Sequence, residues 1–211
     1  MPTSDVRVVE LESPSDLQLH YAFADNVSYR GQDAIRLIES DDTPENAHSL
    51  AVVPHSTFMD GTIETEVAGV PRPGAPPEAR GFVGIAFRVQ SQAVAFEAFS
   101  LRPTNGRSDD QLRRNHSTQY IAHPDYPWYR LREGSPGRYE SYADLVAGEW
   151  TPIRIVVSGS QALLYVNRGE QPCLVVNDLK LGRAAGQIAL WIGGGTEGDF
   201  STKLSLHSRA A

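Results

Sequence analysis

The chain carries one cysteine, Cys173, among 211 residues, which excludes an internal disulfide framework. That thiol sits in the apolar run Cys173-Leu-Val-Val176, where a buried structural role is expected rather than a nucleophilic one. Lysine is almost as scarce: Lys180 and Lys203 are the only two, so nearly all positive charge is arginine. The formal net charge of −7 argues against non-specific nucleic-acid binding, which needs a basic footprint. No apolar run approaches the ~18 residues of a membrane span. The start, MPTSDVRVVELES, lacks the basic and apolar regions of a secretory signal. A cytoplasmic protein without nucleic-acid or membrane partners is expected; self-association stays open. Sustained helical periodicity is missing as well, with only Ser108–Arg114 reading as a turn or two of helix.

What the chain does have is alternation. Short runs of apolar and polar residues, bounded by Gly, Pro, Asn, Asp or Ser, mark strands. They fall at Ala34–Ile38, Leu50–Val53, Gly61–Ala68, Gly81–Gln90, Ala93–Leu101, Trp150–Ser158, Gln161–Asn167, Cys173–Asn177, Gly186–Ile192 and Phe200–His207. Ser158-Gly159-Ser160 reads as a hairpin turn, and the proline-rich 70–79 segment as a loop. The first twenty residues suggest an edge strand or arm. By parity, Val83, Ile85, Phe87 and Val89 share one face, and Phe82, Gly84, Ala86 and Arg88 the other. Ile188, Leu190 and Ile192 likewise oppose Gln187, Ala189 and Trp191. One strand face for a core and one for solvent or a groove predicts an all-β, two-sheet antiparallel sandwich over residues 1–211.

The alternation breaks between Arg102 and Tyr142, where Arg, Asn, His, Tyr, Trp and Pro accumulate. A core cannot use such residues in bulk, because each buried polar head needs a partner. A binding surface can. The mixture of Tyr120, Tyr126, Trp128 and Tyr129 with Arg102, Asn105, Arg107, His116 and Gln119 suits a polar ligand with apolar faces, and Arg88 and Trp191 extend it from neighbouring strands.

Several segments resemble concanavalin A-like jelly rolls. Phe58-Met-Asp-Gly-Thr-Ile-Glu-Thr-Glu66, Gly84-Ile-Ala-Phe-Arg88 and Phe96-Glu-Ala-Phe99 resemble the first half of that fold. Gly148-Glu-Trp150 resembles its G-x-W strand opening; Ala162–Asn167 and Gly186–Trp191 resemble later strands. The nearest kin by this resemblance are bacterial LamG-like and 3-keto-disaccharide-hydrolase-like domains, over roughly residues 50–207. The resemblance implies a jelly roll whose concave sheet face holds a carbohydrate or similar ligand, with the 102–142 loop excursion as its roof. It is specific for fold and not for activity, since the superfamily holds lectins, glycosidases and interaction modules. Glucanases of the superfamily carry a Glu-x-Asp-x-x-Glu strand. Here Glu64-Thr-Glu66-Val-Ala-Gly69 replaces the middle acid and lacks the last, which counts against a glucanase mechanism.

Individual acids and histidines admit two readings each. Glu64 and Glu66 are either a carboxylate pair or two solvated acids on an outer face. Glu97, in an otherwise apolar strand, is either paired with an arginine or exposed to a groove as a general acid or base. In a catalytic reading Glu97 or His116 moves the proton, and Arg88, Arg102 and Arg107 steady negative charge. His116 and His123 flank a strand-like Thr118–Ala122, with Asp109, Asp110 and Asp125 near in sequence, but no ligand motif links them. No cofactor is expected; a structural calcium is the one ion the resemblance would imply. The expected function is carbohydrate or glycoside recognition, with or without a hydrolase or lyase activity on a sugar-like substrate. The alternative is a protein-interaction module using the same arginines and aromatics.

Overall fold

The computed structural model describes residues 5–44 and 47–208. Its strands begin with β1 (Asp5–Glu10), β2 (Gln18–His20), β3 (Ala22–Tyr29), β4 (Gln32–Glu39), β5 (Ser49–Phe58) and β6 (Gly61–Pro71). There follow β7 (Val83–Val89), β8 (Phe96–Leu101), helix α1 (Gln111–Asn115), β9 (Thr118–His123), helix α2 (Trp128–Gly134) and β10 (Glu140–Ser141). The chain closes with β11 (Thr151–Ser158), β12 (Gln161–Val166), β13 (Leu174–Val176), β14 (Gly186–Ile192), β15 (Thr196–Ser201) and β16 (Lys203–Ser208).

These strands build two antiparallel sheets, as the alternation predicts. A nine-stranded sheet runs β13-β12-β11-β6-β15-β4-β3, with β16 on β6 and β1 on β16. A seven-stranded sheet runs β10-β9-β8-β7-β14-β5-β2. Between them lies one apolar cluster. Ile35, Ile63 and Ile155 from the first sheet join it with Ile85, Phe99 and Leu190 from the second, and each such side chain stabilises the fold by about 1.5–3 kcal/mol on burial. The two outer faces differ. That of the nine-stranded sheet carries Glu64, Glu66 and Arg154, whereas that of the seven-stranded sheet carries a second apolar cluster containing Val52, Ala98, Ile121 and Trp191.

Parity holds along β14, where Ile188, Leu190 and Ile192 enter the interior and Ala189 and Trp191 the outer cluster. It fails at the end of β7. The pairing of β14 with β7 shifts register between Gln187 and Ala189, and Arg88 has φ +53°. This bulge turns Val89 to the outer cluster and Arg88 inward, the reverse of the sequence expectation, because one extra residue inverts the alternation beyond it.

The 102–142 stretch is not a loop throughout. It supplies β9, which pairs with β8 along its whole length, and the short β10. Only the segments around α1 and α2 stand off the sheet.

Candidate ligand-binding site

The outer face of β8, β9 and β14 forms the floor of a cavity of about 270 Å³, through Ser100, Gln119, Ile121 and Trp191. These side chains point outward because their neighbours Phe99, Leu101, Tyr120, Leu190 and Ile192 occupy the interior. After β9 the chain reverses, and Ala122 and Tyr126 exchange backbone hydrogen bonds of 3.1 and 2.8 Å. Pro127, with φ −66°, then precedes α2, and buried Leu131 holds that helix against the core. The first turn of α2 thereby delivers Trp128 and Tyr129 to one wall of the cavity, their rings edge to face with centroids 5.8 Å apart. His48, Phe82, Arg102, His123, Gly193 and Gly194 are among the other residues that line it.

The polar groups here are fixed in place. Gln119 Oε1 accepts from Arg102 Nη2 at 3.1 Å, while its Nε2 donates to the carbonyls of Tyr120 and Tyr139 at 2.7 and 3.0 Å. The indole N–H of Trp191 donates to His48 Nδ1 at 3.3 Å. Burial pushes the His48 imidazole down to about 4, so it is a neutral acceptor near pH 7. Burial lowers His123 as well; its ring lies 5.1 Å from that of His48. Arg102 is only 7% exposed, with its guanidinium 5.7 Å from the Trp128 ring and 5.9 Å from that of Phe82. Burial pushes Arg102 down to about 10, which leaves it charged at neutral pH. Phe82, Arg102 and Trp128 also line a second cavity of about 510 Å³, shared with Asn105 and His116.

The remaining expected residues divide sharply. Glu97 is fully buried on the interior side of the sheet, and its carboxylate accepts from Tyr120 Oη at 2.8 Å, Leu181 N at 3.2 Å and Arg88 Nη1 at 3.3 Å. It is the arginine-paired alternative, not a groove acid. Arg88, 2% exposed, donates from Nε to Met59 O, from Nη1 to Glu97 and Gly182 O, and from Nη2 to Asp60 and Gly159 O. All five of its N–H groups are engaged, so it ties strand ends together and has no donor left for a ligand. Tyr120 belongs to the interior cluster, and burial followed by the Glu97 charge pushes its phenol far above its ordinary range. These three were expected at the ligand; the inward turn of their side chains removes them from it.

Asn105 is buried and braces the loop, donating to His116 O at 3.1 Å and accepting from Arg113 Nε at 2.8 Å. Arg107 points away to solvent in a bidentate pair with Asp144, at 2.8 and 3.1 Å. Tyr126 sits beyond the cavity with the Lys180 ammonium 5.6 Å from its ring centre. His116 Nε2 lies 3.3 Å from Glu140 Oε1; burial lowers its pKa against the pull of Glu140. The sheet separates it from Glu97, so the two expected acid/base residues do not meet.

Asp110 caps α1, accepting from the Leu112 and Arg113 amides at 2.9 and 3.3 Å. Among the described residues no group of three or more His, Cys, Asp or Glu side chains converges to hold a metal. Glu64 and Glu66 lie on the opposite sheet, in a larger depression of about 830 Å³. There Glu64 pairs with His207 at 3.2 Å and Glu66 with Arg168 at 2.9 Å, while Arg154 covers the Tyr165 ring at 4.0 Å. Both carboxylates of that depression are thus paired with a basic side chain.

His48 and Phe82 were not foreseen as site residues. Phe82 shared the face of Gly84 and Ala86 by parity, which was a usable signal. His48 had none, because it precedes its strand and reaches the cavity only through strand order.

No protein-family model and no curated protein sequence matches the chain. Solved structures do. A carbohydrate-binding module, CBM66, from Bacillus subtilis superposes with a TM-score of 0.61 at 10% identity, over 92% of this chain and 96% of that one. The VIP36 exoplasmic/lumenal domain in its Ca²⁺/Man3GlcNAc-bound form gives 0.59 at 11% identity, over 98% and 89%. The Bacillus licheniformis β-glucanase gives 0.52 at 12% identity, over 99% and 100%. At such identities the likeness shows the fold: a concanavalin A-like jelly roll.

Proposed function

We propose that this protein binds a carbohydrate on the outer face of the seven-stranded sheet, between Trp191 and the aromatics of α2. The observation that carries the reading is one cavity joining Trp128, Tyr129, Phe82 and Trp191 with Gln119, Ser100 and Arg102. Sugar rings offer CH faces to aromatic side chains and hydroxyls to amide, guanidinium and hydroxyl groups, so their sites need this mixture. The fold shared with a carbohydrate-binding module supports it. Recognition is favoured over hydrolysis: among the described residues no carboxylate lines the cavity, whereas glycoside hydrolysis ordinarily uses two.

A glycan panel titrated against the pure protein tests this. Bound sugars are expected to lose at least about tenfold in affinity with Tyr129→Ala or Trp128→Ala, from lost stacking and contact area. Failure of the folded protein to bind any glycan would discard the proposal. The exposure of Trp128 (45%) and Tyr129 (49%) favours a second reading, a protein-interaction patch. Self-association in sedimentation that Trp128→Ala abolishes, with no glycan bound, would select it.

A further inference from the structure

The second cavity, separated from the aromatic one by Phe82, Arg102 and Trp128, has a different chemistry. Four guanidinium groups reach it, from Arg80, Arg102, Arg113 and Arg132. Their counter-charges are fewer. Arg132 binds Glu140 through two bonds of 2.8 and 2.6 Å, and Arg102 shares that same carboxylate at 3.6 Å. Arg113 has neutral partners, Asn105 Oδ1 at 2.8 Å and Thr104 Oγ1 at 3.3 Å. Arg80 donates to the carbonyls of Pro77 and Ala79. Among the described residues neither Arg80 nor Arg113 forms an ion pair. Glu78 and Asp110 also line the cavity, and Asp110 is engaged by the α1 amides. Counting Glu78, Asp110 and Glu140 together still leaves positive charge in excess, in a chain whose net charge is −7.

This clustering opposes itself. Burial and then the Arg113 charge lower Arg80 against the pull of Glu78; burial lowers Arg102, where Glu140 supports the charged form and Arg132 and Arg80 act against it. Like charges held together in a partly dry cavity are relieved by an anion placed among them. Arg132 and Arg102 are also steadied over the Trp128 ring, at 4.7 and 5.7 Å. The wall between the cavities therefore presents an aromatic surface to one side and guanidinium groups to the other.

We infer that the sugar is acidic: the arginine cavity is an anion subsite that takes a carboxylate or sulfate carried by the glycan while a neighbouring ring rests in the aromatic cavity. This rests on the carbohydrate reading and adds the ligand's charge to it. Carboxylate and sulfate share the chemistry that planar, forked guanidinium groups recognise.

The test pairs each acidic oligosaccharide with its neutral counterpart: oligogalacturonate with its methyl ester, and a sulfated oligosaccharide with its desulfated form. Calorimetric titrations are run on wild type, Arg80→Gln, Arg113→Gln, Arg113→Lys, Tyr129→Ala and the surface control Arg107→Gln, with melting temperatures confirming folding. At least one acidic member is expected to bind about tenfold or more tighter than its neutral partner, an advantage that falls as salt rises. Arg80→Gln and Arg113→Gln should each remove most of that advantage, Arg113→Lys should restore part of it, and Arg107→Gln should leave it intact. The pair that shows the advantage identifies the anion as carboxylate or sulfate. Equal binding of both members, sensitive to Tyr129→Ala but not to Arg80→Gln or Arg113→Gln, overturns the anion subsite and leaves sugar recognition standing. No binding by either member of either pair overturns the anion subsite, and silence across the wider glycan panel discards the carbohydrate reading too.

Discussion

Glu97→Ala should lower the unfolding free energy by about 3–5 kcal/mol, the range for breaking a buried charge pair from one side. The carboxylate is fully buried and serves three donors: the Tyr120 hydroxyl, the Leu181 amide and the Arg88 guanidinium. Truncation strands the first two and leaves Arg88, itself 2% exposed, with Asp60 as its remaining carboxylate partner at 3.0 Å. Glu97→Gln keeps an acceptor of the same shape and should be milder. Urea unfolding with both variants measures the difference. Because the side chain lies on the far face of the sheet from the aromatic cavity, ligand affinity per folded molecule should hardly change. A Glu97→Ala protein with an unaltered urea midpoint would refute this account of the network.

Stability should also fall as pH drops from about 6.5 toward 4, with His48 the main cause. Its imidazole is held down to about 4 by burial first and by the neighbouring His123 second, against about 6.5 when unfolded. Between those values the unfolded chain takes up a proton that the folded one refuses, so protonation favours unfolding. The stabilisation is whole above the unfolded value and is lost as pH falls through the window. At ~1.4 kcal/mol per pKa unit the loss is bounded near roughly 3 kcal/mol. His116 and His123 are lowered too, both chiefly by burial, and add to the same slope. The lowered carboxylates Asp60, Asp144 and Asp178 start from 3.8, so their contribution is lost below that value, outside the histidine window. Protonating His48 at Nδ1 also removes the acceptor of the Trp191 indole, so ligand binding should weaken alongside. Chemical denaturation at several pH values, with His48→Gln as the non-titrating variant, resolves the effect. A slope unchanged in that variant would assign the pH dependence elsewhere.

The Glu97 case shows where reading the chain stops. An acid in an apolar strand is either paired or presented, and alternation alone does not choose. The choice depends on Arg88, whose inward turn comes from a bulge, one residue inserted opposite β14. A bulge inverts every side chain beyond it, yet it leaves no mark on composition or period. In β14 nothing interrupts the period, so Ile188, Leu190 and Ile192 were assignable from sequence. Strand β3 escaped notice because most of its positions are exposed or half-buried, which leaves no apolar row to see. Helix α2 escaped because its seven residues are too few to display a helical period.

The chain by itself determined the class of fold and the place where it breaks pattern. Period-two alternation is a local property, and burying one face of each strand leaves a two-sheet sandwich as the answer. Arg102–Tyr142 was legible as the stretch that breaks pattern, and as a candidate binding surface, because its residues could not all be buried unpaired. Tertiary structure alone decided which of them line the cavity. It enclosed Tyr120, sent Arg107 to solvent, and brought His48, Phe82 and Trp191 to the aromatics of α2 from segments far apart in sequence. It also gathered Arg80 and Arg132 with Arg102 and Arg113, a charge cluster spread over more than fifty positions of the chain. Neither convergence is local, since both follow from strand order and from the direction in which each backbone turns.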